Sequence, residues 1–385
     1  MNKEIEEKIS LNIFLLGIFI MGAFMCNDKY LSIVNYSYIP LIIIIIFLMH
    51  FKQKIKISSM HYIMGALFML IILNLVRYNV AFETGIFLSY IIYVLMFLIF
   101  NSLKINEKEI NYLINSYIIS SAIISILIIL NQKELNGWEG TYRYTLKFMN
   151  HVYIDPNFIG AFTSIGAIMA FYRFINKKDN RIKYGIILTI IISGIFMTGS
   201  RGAMVGTFCG IYILTTHKIS LKKIIIIGFS LVVLIYAIYN FMPIDLYNRM
   251  FRQSYFDSSN MHRFNNWYMA IRAFLDKPII GYGLVNTMTI LYKVSGYTSA
   301  AHNTYIALTL QLGLVGFLLM LTVIVKMLKD IRILRIELLS AIWVSLLFTS
   351  ILIEQNLSIT FWIVLIISSL IIKCEKNKLI RKSIN

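Results

Sequence analysis

Two apolar runs decide the fold class of this chain: LIIIIIFLMH at positions 41–50 and IIIIGFSLVVLIYAIY at positions 224–239. Each run lies within a longer stretch without Asp, Glu, Lys or Arg, 31–50 and 224–242. A helix needs about 20 mostly apolar residues to cross the hydrocarbon core of a bilayer. Both stretches therefore predict transmembrane helices.

The composition extends this prediction to the whole chain. Of its 385 residues, 58% are hydrophobic and 14% are charged, and the mean hydropathy is +0.75. A soluble domain has about 45–50% apolar residues and about 25% charged residues. The charged residues here form short clusters between long apolar runs, so we predict an all-α polytopic membrane protein with one integral membrane domain over 1–385.

Apolar runs of helical length recur along the chain, and we predict about 12 transmembrane helices from them. The first run follows MNKEIEEKIS without a small-residue cleavage site, which favours a membrane span over a cleaved signal peptide. The predicted spans lie near 10–26, 31–50, 60–76, 86–101, 112–130, 157–175, 184–199, 202–216, 224–242, 302–325, 336–353 and 357–372.

Positive charge orients these spans. An even number of spans places both termini on one side, and a cytoplasmic placement gives the inner segments 24 of the 36 Lys and Arg residues. Cytoplasmic loops carry such an excess, which also accounts for the net charge of +18 without a nucleic-acid partner. Two long loops, 131–156 and 243–301, then lie on the extracytoplasmic side.

The longer loop contains its own predicted helix. Residues 260–275, NMHRFNNWYMAIRAFL, have apolar side chains at helical spacing and a basic opposite side. This pattern predicts an amphipathic helix at the membrane interface, ended by Pro278 and the GYG turn at 281–283.

Three side chains near the predicted outer face are the main candidates for chemistry: Arg201, Arg263 and His302. An arginine at the end of a span is costly in lipid, and its planar guanidinium suits phosphate oxygens. A histidine can take a proton from a hydroxyl near neutral pH. Together they suggest an anionic, lipid-linked substrate. The structural alternatives are a snorkelling Arg201, a solvated Arg263, and a His302 that caps a helix together with Asn303.

Other polar or small residues favour structural roles. Gly202, Gly206 and Gly210 form a small-residue ridge that predicts close helix packing. Asp155 and Asn157 flank a proline in a pattern typical of helix initiation. Glu83 and Glu354, at other predicted outer ends, suggest pairing with arginines. The three cysteines, Cys26, Cys209 and Cys374, fit no metal or disulfide pattern, so we expect no metal site and no cofactor.

Four segments carry a resemblance to the O-antigen ligase/polymerase family, which includes Wzy-type polysaccharide polymerases. GSRGAMVG at 199–206 is similar to the family's SRG segment, and RFNNWYMAIRAFLDKPIIGYG at 263–283 resembles its arginine–tryptophan and proline–glycine segment. AHNTYIALTLQLGLVG at 301–316 resembles its His-Asn segment, and IDPNFIGAF at 154–162 its Pro-Asn segment. The four occur in the family's order and spacing.

The resemblance implies a GT-C-like, metal-independent, inverting glycosyltransferase in a bacterial cell membrane. It would act at the outer face on glycans linked to undecaprenyl diphosphate. Arg201 and Arg263 would hold the diphosphate, and His302 would activate or orient the acceptor hydroxyl. Membrane lipid and a chain-length regulator protein are the other expected partners. Independently of the resemblance, Arg143, Arg249, Arg252, Arg272, Asn303 and Trp267 are further candidate substrate-binding residues, and solvated loop charges are the alternative for Arg249, Arg252 and Arg272.

Four functions remain open at this point. A polymerase would transfer a growing glycan onto an incoming lipid-linked repeat unit, whereas a ligase would transfer the finished glycan to another acceptor. A lipid-linked oligosaccharide flippase also has many spans, but transporters place polar groups near the midplane and often contain repeats. A non-catalytic scaffold would leave the Arg201, Arg263 and His302 set without a purpose.

Overall fold

The computed structural model describes residues 9–22, 57–77, 83–131, 143–146, 154–216, 258–296 and 299–384. These residues form twelve α-helices, a 3-10 turn at Lys178–Asn180 and no β-strand, which confirms the all-α prediction. In chain order the helices are α1 Leu11–Met21, α2 Ser59–Arg77, α3 Thr84–Ser102, α4 Glu107–Asn131, α5 Pro156–Asn176, α6 Arg181–Met197, α7 Arg201–Thr216, α8 Ser258–Asp276, α9 Thr287–Ser295, α10 Thr304–Leu334, α11 Glu337–Leu352 and α12 Ile359–Ile384.

Five of the described helices are long and apolar enough to cross a membrane. Two shorter apolar helices, α1 and α11, coincide with other predicted spans. The predicted spans 31–50 and 224–242 lie outside the described residues, so a total of twelve stays a prediction. The five candidate segments are Ser59–Val76, Thr84–Ser102, Glu107–Leu130, Pro156–Asn176 and Thr304–Leu334.

The chain divides into two compact units. The first unit comprises residues 1–117, 265–336 and 354–385, and the second comprises residues 118–264 and 337–353. Two of the four boundaries fall within α4 and α8, and the other two lie on either side of α11. The sides of the membrane on which 131–156 and 243–301 lie remain predictions, and both segments extend beyond the described residues.

In the second unit, α7 packs against α5 and α11 through its glycine ridge. A methyl group at Gly206 would lie 2.9 Å from the Ser345 hydroxyl of α11, and one at Gly210 would overlap the Ile168 side chain of α5. Backbones can approach this closely only where side chains are absent. The packing role predicted for Gly202, Gly206 and Gly210 is thereby confirmed.

In the first unit, α10 is interrupted at Gly313, which has φ 64° and ψ −169°. The predicted span 302–325 corresponds to α10, which extends to Leu334 and is a candidate membrane span with a break at Gly313. At the interruption, Tyr282 and Gly283 donate backbone hydrogen bonds to the carbonyl oxygens of Leu310 and Gln311 at 2.7 and 3.0 Å.

The same connection also accepts hydrogen bonds from α10. Leu314 and Val315 donate backbone hydrogen bonds to the carbonyl oxygens of Pro278 and Ile279 at 2.8 and 3.1 Å. Backbone groups freed by a helix break must find partners when water is excluded. The segment 278–283 supplies those partners, which fixes the loop against α10.

Helix α8 occupies the predicted 260–275 region, and its packed face is formed mainly by small residues. Asn266, Ala270 and Ala273 are fully buried, and the two alanines belong to a small core formed with α9 and the start of α10. The large side chains at helical spacing on the other side are exposed: Phe264, Tyr268, Ile271 and Leu275. Such an exposed apolar stripe is what an interfacial helix presents to lipid.

Candidate functional site

A pocket in the second unit brings together two of the predicted site residues, Arg201 and Arg263. It is an open cleft with about 410 Å³ of atom-free space, part of which is continuous with the surroundings. Arg201 begins α7, and Arg263 comes from the first part of α8. The full lining is Asn157, Gly199, Ser200, Arg201, Gly202, Ala203, Arg263, Thr349, Leu352 and Ile353.

A tight turn between α6 and α7 forms one wall of this pocket. Helix α6 ends at Met197, and Gly199 adopts a φ of 60°, a conformation that glycine accepts without strain. The chain then enters α7, so that residues 199–203 all line the pocket. The first amide groups of a helix lack intrahelical acceptors and carry partial positive charge. With two guanidinium groups, this wall is suited to an anion.

The close approach of α5 forms the neighbouring wall. A methyl group at Gly160 would lie 2.8 Å from Ala203 Cβ and 3.0 Å from Ser200 Cβ. The missing side chain therefore lets the first turn of α5 lie against the start of α7. Asn157, one turn before Gly160, lines the pocket as a result.

Arg143 connects these two walls. Its Nε donates to the Thr198 carbonyl oxygen at 2.9 Å, and its Nη2 donates to Asn157 Oδ1 at 2.8 Å. Ser200 Oγ donates to the same Oδ1 atom at 3.1 Å. Two N–H groups of Arg143, a predicted substrate-binding residue, thus donate hydrogen bonds to the protein beside the pocket.

The IDPN segment begins α5 as predicted. Asp155 caps the helix by accepting a hydrogen bond from the Asn157 backbone at 2.8 Å, and Pro156 occupies the first turn. The structural interpretation of Asp155 is confirmed. Asn157 contributes more than helix initiation, because its side chain faces the pocket.

His302 belongs to the first unit and has an unusual backbone. Its φ is 48°, in the left-handed region that non-glycine residues seldom occupy. Its backbone N–H donates to Glu354 Oε1 at 3.0 Å, and the Thr287 hydroxyl donates to the same oxygen at 2.7 Å. Backbone strain of this kind persists where surrounding contacts fix it, and it clusters at functional positions.

Asn303 follows as the N-cap of α10. Its side-chain oxygen accepts from the backbone N–H groups of Tyr305 and Ile306 at 2.9 and 3.1 Å. The alternative interpretation, that His302 and Asn303 cap a helix, is correct for Asn303. Asn303 was also predicted to bind substrate, and its side-chain oxygen is occupied by the cap.

The remaining candidates are scattered. Trp267 is half-buried in α8, and Arg272 is exposed with its guanidinium 4.9 Å from the centre of the Tyr268 ring. Arg249 and Arg252 lie outside the described residues. Within the described part of the chain, no group of three His, Cys, Asp or Glu side chains could hold a metal ion.

Glu83 has partners other than the predicted arginine. Its carboxylate accepts hydrogen bonds from the Asn286 backbone at 3.0 Å and from the Thr289 hydroxyl at 3.2 Å. The N-cap and first turn of α9 therefore supply the partners that the sequence suggested would be an arginine. Glu83 stabilises the start of α9 in the first unit.

Comparison with known proteins identifies the central part of the chain. The family model described as O-antigen ligase matches residues 186–321, about a third of the sequence. The match contains three of the four segments that carried the resemblance, those at 199–206, 263–283 and 301–316, and it confirms that resemblance. No curated protein matches the chain.

Proposed function

We propose that this chain, whose residues 186–321 match the O-antigen ligase family model, polymerises lipid-linked oligosaccharide repeat units. The donor is a glycan on undecaprenyl diphosphate, and the enzyme lies in the bacterial cell membrane with its site open to the outer face. The observation that carries this proposal is the shared pocket of Arg201, Arg263 and the start of α7.

The proposed reaction needs a stabilised leaving group. The acceptor hydroxyl oxygen attacks the anomeric carbon of the donor sugar, and the bond from that carbon to the diphosphate oxygen breaks. The electron pair leaves with undecaprenyl diphosphate, so negative charge grows on its oxygens. Arg201, Arg263 and the α7 amides are donors for that charge, and removing one such donor costs about 2.7–4 kcal/mol in enzymes that depend on it.

The acceptor hydroxyl must also lose its proton. We assign this proton to His302, which the family resemblance implies as the group that activates the acceptor. The carbon is attacked from the side opposite the leaving group, so its configuration inverts. The energy comes from the sugar–diphosphate bond, and the reaction needs neither a nucleotide nor a cofactor.

The second candidate is a ligase, and the description of the matching family model favours it. A ligase would use the same donor and the same leaving group, and only the acceptor would differ. A flippase is less well supported, because Arg201 begins a helix beside a pocket and the reaction class of the family is glycosyl transfer.

Deleting the gene and measuring the lipid-linked glycans separates these functions. We expect single repeat units on undecaprenyl diphosphate to accumulate at the outer leaflet, since polymerisation would stop at its first step. Finished polymer retained on the lipid carrier would instead identify a ligase. Repeat units trapped on the cytoplasmic leaflet would identify a flippase and contradict the proposal.

Glu354→Ala tests whether activity depends on the fixed backbone of His302. The substitution removes the acceptor for His302 N and the Thr287 hydroxyl, so we expect turnover to fall about 10- to 100-fold with little change in the donor KM. The assay uses purified enzyme and repeat units extracted from the deletion strain.

Glu83→Ala is the matched control for this substitution. It removes a carboxylate that also accepts from one backbone N–H and one threonine hydroxyl in the same unit. Normal turnover in Glu354→Ala, or an equal loss in Glu83→Ala, would contradict a specific effect on His302.

A further inference from the structure

The pocket is lined by Asn157, to which the proposed mechanism assigns no role and which the sequence pattern assigned only to helix initiation. We infer that the amide nitrogen of Asn157 donates a hydrogen bond to the diphosphate of the substrate, and that Arg143 and Ser200 fix the amide in the required orientation. This inference rests on the proposed function, because it assigns a further donor to the same anion.

The orientation of the Asn157 amide follows from its neighbours. An arginine guanidinium can only donate hydrogen bonds, so the Asn157 atom 2.8 Å from Arg143 Nη2 must be the oxygen. The same oxygen accepts from Ser200 Oγ at 3.1 Å. A carbonyl oxygen has two lone pairs, and these two donors occupy them. The amide nitrogen is therefore the donor that points away from both.

That nitrogen remains free for a ligand. Within the described residues it makes no hydrogen bond, although Asn157 lines the pocket together with Arg201 and Arg263. A neutral N–H donor beside two guanidinium groups completes a set of donors for an anion with several oxygens. A purely apolar group in the pocket would leave these donors without acceptors.

Arg143 is itself held in place, which qualifies it as a positioning residue. Its neighbour Tyr144 donates a backbone hydrogen bond to the Met197 carbonyl at the end of α6, at 3.2 Å. Arg143 Nε binds the Thr198 carbonyl of the following turn at 2.9 Å. The Arg143 guanidinium thus connects the turn before Arg201 to the Asn157 amide on α5, which fixes the distance between the two walls of the pocket.

Asn157→Asp tests the inference with almost no change in shape. One carboxylate oxygen can still accept from Arg143 and Ser200, so folding is preserved. The other oxygen replaces the N–H donor with an anion that repels phosphate. We expect affinity for undecaprenyl diphosphate, measured by ligand-induced thermal shift and by titration in detergent, to fall about 100-fold or more.

Two further variants make the result interpretable. Asn176→Asp places the same new charge at the far end of α5, where the exposed asparagine only binds the Tyr172 carbonyl, and we expect wild-type affinity. Asn157→Ala removes the donor without adding charge, and we expect about a tenfold loss. If Asn157→Asp lowers the melting temperature, Asn157→Ala decides the question.

The outcomes separate this inference from the proposed function. Wild-type affinity in both Asn157→Asp and Asn157→Ala, with a clear loss in Arg201→Ala, would overturn the inference alone. Wild-type affinity in Arg201→Ala would overturn the diphosphate pocket itself. A loss in Asn157→Asp that is matched by Asn176→Asp would reflect general charge and would also overturn the role of Asn157.

Discussion

Gly313→Ala is expected to leave almost no folded protein. At φ 64° and ψ −169°, a side chain costs about 1–3 kcal/mol of backbone strain. The added methyl group would also overlap the backbone of Ile279 and Ile280, which cannot rotate away as a side chain would. Moving that segment would break its hydrogen bonds to Leu314 and Val315. Such a combined loss is a large part of the typical 5–15 kcal/mol of total stability.

Gly65→Ala is the control for this substitution. Gly65 lies inside α2, and a methyl group there would meet no heavy atom within 4 Å. Alanine favours a helix over glycine by about 1 kcal/mol, so we expect unchanged or higher stability. Yield of monodisperse protein and melting temperature in detergent measure both variants. A normal yield of Gly313→Ala would show that the break in α10 is not required for folding.

The position of this break illustrates what hydropathy can predict. Apolar runs such as those of α2, α3 and α5 predict helices because a buried or lipid-facing backbone must satisfy its own hydrogen bonds. Gly313 lies in the run LTLQLGLVGFLLML, which has the pattern of an uninterrupted span. Its backbone departs from the helix because residues 278–283, distant in sequence, supply partners for the freed groups. Local patterns contain no signal for such pairing.

Helix α8 shows a second property that hydrophobic periodicity does not predict, namely which side of a helix packs against the protein. Its apolar periodicity correctly predicted a helix, yet the residues that pack are Asn266, Ala270 and Ala273. Close approach to α9 and α10 favours small side chains, whereas the large apolar side chains at helical spacing are mostly exposed. In a membrane protein, large apolar residues can face lipid, so hydrophobicity alone does not identify the packed side.

The sequence indicated the charged residues of the candidate site, but it did not indicate the hydrogen bonds among the residues that support them. Arg201 and Arg263 attract attention because cations near a bilayer need a reason, and the two line one pocket. Arg143 was predicted to bind substrate and Asn157 to begin a helix, and neither prediction indicated that the two side chains bind each other beside the pocket. Their importance comes from hydrogen bonds to Ser200 and Thr198, more than 40 residues away. The Asp-Pro-Asn motif was a signal, but it fits helix initiation equally well.

Arg201→Ala and Arg263→Ala are expected to abolish long-chain glycan at normal protein level. Each substitution removes a cationic donor from the proposed diphosphate pocket, and loss of such a donor lowers rates by about 10²- to 10³-fold. His302→Ala is expected to have the same phenotype for a different reason, because the acceptor hydroxyl would keep its proton. Complementation of the deletion strain, with polysaccharide gels and immunoblots of the protein, measures all three.

Arg332→Ala provides the control, since this arginine is exposed in the last turn of α10 and is not among the residues that line the pocket. It removes one positive charge, as the other variants do, and full polysaccharide is expected. Long-chain product from Arg201→Ala, Arg263→Ala and His302→Ala alike would rule out the proposed site. Loss of product in Arg332→Ala as well would indicate that positive charge in general, and not the pocket, is required.

Arg201→Lys distinguishes geometry from charge. Lysine keeps the positive charge but lacks the planar fork that binds two oxygens at once. If the diphosphate is held by paired hydrogen bonds, the variant should lose at least about tenfold in turnover despite its charge. If only the local potential matters, it should remain close to wild type. A large defect in Arg201→Lys therefore assigns the guanidinium a directional contact with the leaving group, which a snorkelling arginine at a helix start would not have.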